Sequence, residues 1–178
     1  MFTQDSPFFE MVMSFLAATM GMGPVFEKGA SLAPGPDKLA WYRGKVRSDL
    51  TIDLEQVNAL RLSGDLTADG VMKSLCCMLL NTAYSVAEAY NDQSPAFEVF
   101  RHIRNAASHG NTFFFKKDEP RLPASWGKFV IDDTLKGRFN PLSGVECIGD
   151  TFSPADALAL LQNIERRFPK MRQIAQDR

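Results

Sequence analysis

The chain has 178 residues, a hydrophobic share of 45% with 14 Phe, and 23% charged residues, which suits one globular domain and excludes a disordered or low-complexity chain. Net charge is −1, so a uniformly basic nucleic-acid binder is excluded too. The charge is unevenly spread: Ser48–Phe100 holds eight acids against two bases, and Arg101–Arg138 holds eight bases against four acids, so an anionic partner is drawn to the middle of the chain.

Asp5-Ser6-Pro7 supplies a capping residue and then Pro at a first helical position. A helix is predicted from there to Met20, stopping at Gly21-Met22-Gly23-Pro24. Phe8–Met22 is apolar apart from Glu10, Ser14 and Thr19. It is short for a membrane span and no Lys or Arg precedes it, so it reads as a core helix of a cytoplasmic protein without a membrane partner. Gly29–Pro36 reads as a loop, and a helix is expected from Asp37 to about Arg47. Leu54, Val57 and Leu60 predict a short helix over Asp53–Leu62.

Thr67 can cap a long helix reaching about Asn91. Val71, Leu75, Met78, Leu79, Thr82, Val86 and Ala89 recur at helical spacing, and almost no charge lies between Lys73 and Glu88. This helix is expected to be the central, most buried one. Ser94-Pro95 opens the next, with Phe97, Phe100 and Ile103 inward and Gly110 to end it. Phe113-Phe114-Phe115 suits a buried strand or core turn. Trp126–Phe139 reads as a hairpin turning at Asp132-Asp133-Thr134. Ser153-Pro154 starts the last helix, with Ala157, Leu158, Leu161, Ile164 and Phe168 on one face and Pro169 interrupting it. The architecture expected is mainly α, a single domain over 1–178.

Cys76, Cys77 and Cys147 form no CxxC pair and are odd in number. A disulfide framework, a metal site and a bound cofactor are not expected, and a reducing compartment is favoured. No Gly-rich phosphate loop, HExxH or GxSxG pattern occurs.

The two histidines, His102 and His109, fall in one segment, Arg101-His102-Ile103-Arg104-Asn105-Ala106-Ala107-Ser108-His109-Gly110. On a straight helix they are seven apart and share a face, with Arg101, Arg104 and Ser108 as a neighbouring stripe. Arg104 and His109 are five apart, roughly 140° around the helix, and do not meet unaided. Either the helix unwinds at Ser108-His109-Gly110, or a second copy supplies His109 across a two-fold axis, with Ala106 and Ala107 allowing close approach. A simpler alternative stays open: a His before a helix-ending Gly can serve only to cap the last carbonyls.

Arg104-Asn105-Ala106-Ala107-Ser108-His109 resembles the R-x4–6-H motif of the HEPN superfamily, in its form with Asn after Arg. The resemblance covers 37–111 as a HEPN-like helical core, with 112–152 as a β-hairpin and loop extension and 153–178 as a C-terminal helix. It implies a homodimeric helical bundle. It also implies a metal-independent endoribonuclease of toxin–antitoxin or phage-defence type, whose two motifs face one cleft. Arg104, Asn105 and His109 are then the catalytic candidates. Arg104 binds phosphate, Asn105 orients, and His109 moves protons to and from the ribose 2′-OH and the leaving oxygen. Arg101, His102, Ser108, Lys116 and Lys117 are the candidate RNA contacts. Gly110 departs from the many members whose helix continues past the His. Some members are inactive, so the alternative is a non-catalytic binding or dimerisation module, such as the partner of a nucleotidyltransferase antitoxin.

Overall fold

The computed structural model describes residues 2–27, 38–41, 50–116, 119–120, 122–131 and 140–167, with 38–41 and 50–54 described by backbone alone. The chain forms two compact units, one made of Met1–Ala17 and Met72–Arg178, the other of Ala18–Val71. The described residues are mainly helical, with two small antiparallel hairpins and a helix following the second, in keeping with the predicted class.

Helix α1 spans Phe9–Phe26. Ser6 starts it: the Phe8 N–H donates to Ser6 Oγ at 3.1 Å and the Phe9 N–H to the Ser6 carbonyl at 3.0 Å. The expected stop at Gly21–Pro24 is corrected, because Pro24 lies inside the helix. Proline removes one N–H bond and crowds the carbonyl four residues back, but Pro24 falls in the last turn, where little helix remains to disrupt. At 18 residues with a mean hydropathy of 1.4, α1 is long and apolar enough to cross a membrane by length and composition. The sequence reading, which ended the helix early, took it as too short.

In the unit Ala18–Val71, strands β1 (Lys38–Trp41) and β2 (Leu50–Asp53) pair antiparallel, Lys38 opposite Asp53 and Trp41 opposite Leu50. The helix expected over Asp37–Arg47 is therefore corrected at Lys38–Trp41, and 42–49 lie outside the described residues. An isolated helix of that length is marginal, whereas β2 offers a partner rich in β-branched residues, Thr51 and Ile52. Helix α2 (Leu54–Ser63) follows as predicted. Its Arg61 bridges to Asn58 Oδ1 at 2.9 Å and to the Val25 carbonyl at 3.1 Å.

Helix α3 (Ala68–Ala87) begins at its predicted cap, with the Gly70 N–H donating to Thr67 Oγ1 at 3.0 Å, and ends in a 3-10 turn at Glu88–Tyr90. Helix α4 (Pro95–Ser108) also begins as predicted, with Ser94 Oγ accepting from the Phe97 N–H at 3.3 Å. The central element is α4, not α3: nine of its 14 residues are buried, against seven of 20 in α3. The predicted inward stripe of α3 is corrected as well. Cys76, Cys77, Leu79, Leu80, Ala83, Tyr84 and Ala87 are buried, whereas Met78 is 56% exposed and Val86 38%. After Lys73 both faces of α3 lack charge, so hydrophobic periodicity did not separate them. Small Cys and Ala residues turned out to line the close-packed side.

Strands β3 (Ala124–Trp126) and β4 (Phe129–Ile131) pair antiparallel, Trp126 opposite Phe129. The β3–β4 loop is Gly127-Lys128, and the predicted turn at Asp132-Asp133-Thr134, with the strand expected after it, lies outside the described residues. A two-residue hairpin loop needs a left-handed residue, and Gly127 supplies it at φ 57°. Phe113-Phe114-Phe115 forms no strand among the described residues. Helix α5 (Pro154–Arg167) starts with a reciprocal cap: the Asp156 N–H donates to Ser153 Oγ at 3.1 Å and the Ser153 N–H to Asp156 Oδ2 at 2.9 Å. Phe168 and Pro169 lie outside the described residues.

In the first unit α4 packs against β3 and α5. Its Phe97 and Phe100 rings meet edge-on at 5.8 Å, and Phe100 meets Tyr84 of α3 edge-on at 5.2 Å. Phe113, Ile131, Cys147, Ile148 and Phe152 join the same core, so 112–152 supplies core residues and is more than a surface appendage. Phe100→Ala should lower stability by about 3–5 kcal/mol in denaturant unfolding, because it leaves a cavity where three rings met. Val130→Ala, on a side chain 62% exposed, should change it by less than about 0.5 kcal/mol. Equal effects of the two would contradict this core.

Candidate functional site

The α4 segment from Arg101 to His109 does not present its polar side chains together. Its angular position decides which are buried, and its neighbours decide which are paired. His102 points into the core, 2% exposed, with its ring 5.2 Å from that of Phe115. Its Nε2 lies 2.9 Å from Arg101 Nη2. A guanidinium can only donate, so Nε2 accepts and the proton of neutral His102 sits on Nδ1, which is buried without a hydrogen-bond partner among the described residues. Burial, helped by the Arg101 charge and partly opposed by Glu119, lowers the His102 pKa from its ordinary 6.5 to about 4. His102 is thus a neutral core histidine, and the face it was expected to share with His109 is not shared: His109 is exposed.

Arg101 is held by two carboxylates. Its Nε donates to Glu98 Oε2 at 2.9 Å and its Nη1 to Glu119 Oε1 at 3.0 Å. Although burial alone would raise it, the Glu119 pKa is lowered by the Lys116 N–H and by Arg101. With Asn91, Gln93, Lys116 and Leu122, this trio lines an open groove of about 300 Å³. The charges of Glu98, Arg101 and Glu119 pair with one another. Arg101 therefore holds the 119 segment to α4 and is not free to take up phosphate.

Arg104, one turn on, has a different surrounding. Its guanidinium carbon lies 5.2 Å from the centre of the Tyr84 ring, and its Nη1 donates to Asn105 Oδ1 at 3.2 Å. Its Nε is buried without a partner, and no carboxylate pairs with it among the described residues. A cation over an aromatic face gains about 0.5–2 kcal/mol and keeps its charge. Burial, with Glu88 nearby, raises the Tyr84 pKa, so the ring under Arg104 remains a neutral phenol. Ser108, on the same helix stripe, donates to Asn81 Oδ1 of α3 at 2.6 Å. Tyr84 and Asn81 are three apart on α3, so the Arg104–Ser108 stripe of α4 lies along the Asn81–Tyr84 stripe of α3.

The helix ends at His109, as one of the two sequence expectations has it. The His109 N–H still donates to the Asn105 and Ala106 carbonyls at 3.1 and 3.0 Å, but its backbone (φ −105°, ψ 41°) has left the helix. The ring lies 5.2 Å from that of Phe114, itself 51% exposed. Neither a hydrogen bond nor a ring contact joins His109 to Arg104 among the described residues. Ala106 and Ala107, expected to allow close approach of a second copy, are corrected: both are buried in the protomer's own core. Lys116 is exposed, and Lys117 lies outside the described residues.

Sequence reasoning missed Tyr84, Asn81, Phe114 and Asn111. The first two act across helices from α3, which no local motif announces. Asn111 follows Gly110, and a Gly-Asn pair after a helix is a signal for consecutive left-handed residues. The three cysteines are buried, and burial, with Cys77 beside it, pushes the Cys76 thiol up to about 12. No group of three or more His, Cys, Asp or Glu side chains among the described residues could hold a metal ion. Comparison of the chain with protein-family models, curated proteins and solved structures finds no match.

The buried histidine has a pH signature. His102 takes a proton near pH 6.5 when unfolded and near 4 when folded, so between those values the unfolded chain binds more protons. Its neutral form leaves stability intact above pH 6.5, and stability falls as pH drops toward 4. The expected loss is about 3 kcal/mol, measured by urea unfolding across that range. His102→Gln should flatten this part of the profile; an unchanged slope would show that His102 is not the group responsible.

Proposed function

We propose that the chain is a HEPN-type homodimer that cleaves RNA without a metal, in a toxin–antitoxin or phage-defence setting. One observation carries it: in a single helix Arg101 is neutralised by two carboxylates, while Arg104 lies on an aromatic face with no carboxylate paired to it among the described residues. A half-buried cation with no carboxylate beside it is costly, and an arriving phosphate would supply that charge. The exposed His109 follows at the same helix end, as an acid–base group requires.

The chemistry needs only these groups. His109 of one copy takes the 2′-OH proton as O2′ attacks the adjacent phosphorus. Arg104 stabilises the negative charge gathering on the phosphoryl oxygens. The bond from phosphorus to O5′ breaks, and a protonated His109, from the other copy, gives O5′ its proton. The products are a 2′,3′-cyclic phosphate and a free 5′-OH. Asn105 holds one arm of the Arg104 fork. Since Arg104 and His109 do not touch within one protomer, the two-fold partner completes the pair. Ser108 and Lys116 remain on the surface as RNA contacts, and Arg101 and His102 act through the fold.

A second reading is a non-catalytic HEPN-like binding or dimerisation module, such as the partner of a nucleotidyltransferase antitoxin. The solvent face of α3 beyond Lys73, uncharged and with Met78 and Val86 exposed, favours it as a contact surface. Purified protein incubated with single-stranded and structured RNA in EDTA decides between them. Cleavage should fall ~100- to 10,000-fold in His109→Ala and ~100- to 1,000-fold in Arg104→Ala, with unfolding curves little changed. Equal activity in His109→Ala sinks the catalytic assignment. No cleavage by the wild type, with partner binding lost in the same variants, establishes the module instead.

A further inference from the structure

The turn after His109 is held by backbone bonds to the 144–147 segment and by one side chain, that of Asn111. Gly110 and Asn111 both take left-handed backbone, at φ 67° and 63°. Glycine does so freely, and Asn is among the few other residues that visit this region. Asn111 then bonds through every polar atom of its side chain. Its Oδ1 accepts from the Ile148 N–H at 2.7 Å and from the Cys77 thiol at 3.6 Å. Its Nδ2 donates to the Ile148 carbonyl at 2.9 Å and to Glu146 Oε1 at 3.2 Å. The Asn111 carbonyl accepts from the Cys147 N–H at 2.8 Å.

The amide thus meets both backbone groups of Ile148, as a neighbouring strand would. Glu146 is fixed in turn by Lys73 of α3, at 3.0 Å. Two residues beyond His109, the chain is therefore tied to α3 and to the 146–148 segment. Behind His109, its own N–H is tied to the last carbonyls of α4. Only Gly110 lies between these two fixed points, so the Cα–Cβ bond of His109 leaves the chain in a set direction, toward the Phe114 ring 5.2 Å away.

We infer that Asn111 is a positioning residue: by bracketing Ile148 and Glu146 it fixes the direction in which the His109 ring leaves the end of α4. This rests on the assignment of His109 as the acid–base group and extends it by one residue that touches no substrate. It also moves the boundary of the working segment, which runs from Arg104 to Asn111.

Ring-proton NMR suits the test, because the chain has two histidines and His102, in the core, reports whether the fold is intact. Asn111→Gly keeps the left-handed backbone and deletes the bracket. Asn111→Asp keeps an acceptor oxygen, loses both donors and sets a carboxylate against Glu146. In both, His109 should lose its through-space contacts with Phe114 while His102 keeps those with Phe115. RNA cleavage should lose roughly a hundredfold in kcat with KM within about twofold, the signature of a misplaced group and not of lost binding. In the wild type, the Asn111 Nδ2 protons should exchange slowly with solvent.

The inference is overturned if His109 keeps its Phe114 contacts in both variants. It is overturned equally if the wild-type Asn111 amide exchanges as fast as an exposed one, a measurement that needs no variant to fold. If Asn111→Gly loses the His102–Phe115 contacts, Asn111→Asp and the wild-type exchange rate decide. A wild type that leaves RNA uncut sinks the ribonuclease reading alone, since the His109–Phe114 contact is read without RNA.

Discussion

Helix α4 commits one face to the core through Phe97, Phe100, Ile103 and Ala107, and the Phe97–Phe100–Tyr84 ring cluster locks that face in place. Once those rings are buried, the angle of every other α4 side chain is set at about 100° per residue. His102 is carried inward beside Ile103. Arg101, Arg104 and Ser108 are carried to one flank, and His109 is left at the helix end. No polar residue of the segment chooses its own environment. Turning α4 by a single residue would bring Arg101 or Arg104 into the core, at a desolvation cost of several kcal/mol per charge, so the register is strongly fixed.

Within that frame, the two arginines show how neighbours and not sequence assign roles. Both lie on the same flank, three positions apart. Arg101 lies beside Glu98 and meets Glu119 from the segment after Phe115, so its charge is consumed in holding that segment to the helix. The same charge keeps His102 neutral, by repelling a proton that burial already disfavours. Arg104 lies beside α3, which offers Tyr84 in place of an acid. The acidic stretch before Arg101 contains Glu88 and Glu98, yet no carboxylate in it pairs with Arg104 among the described residues. An exposed arginine without a partner would be unremarked. One laid on a buried ring with its Nε shielded is held in place, and its remaining donors have a fixed direction.

Local signals were readable and non-local ones were not. Thr67, Ser94 and Ser153 cap the helices they were expected to cap, because a cap is a bond between residues two or three apart. The end of α4 at His109-Gly110 was readable for the same reason. The face of α3 was not, since its two sides differ in residue size and hardly in polarity. Lys38–Trp41 is too short to carry a period, and its state depends on a partner strand beginning nine residues later. Strand content near Trp126 was readable, but the pairing of Ala124–Trp126 with Phe129–Ile131 through the left-handed Gly127 was not, because it rests on a turn of two residues. At the site, Arg104, Asn105 and His109 stood out by their spacing. Tyr84, Asn81, Phe114 and Asn111 did not, because each acts through a contact that only the folded chain makes.

The burial of Ala106 and Ala107 alters what a two-fold arrangement must look like. Small residues at a helix surface invite a partner helix, but these two already face the protomer's core, so the axis cannot run along them. The surface left beside the motif is the outer flank of α3 and α4, with Met78, Asn81, Arg104 and Ser108, and the helix end with His109 and Phe114. Met78 and Phe114 are large apolar side chains exposed there, at 56% and 51%. In the dimer proposed above, that flank is the surface open to the second copy. Its contact must then bury Met78 or Phe114 while leaving the Arg104 donors open to phosphate. An apolar seam beside a cation with no carboxylate partner among the described residues meets both demands, because burial of the first supplies association energy without neutralising the second.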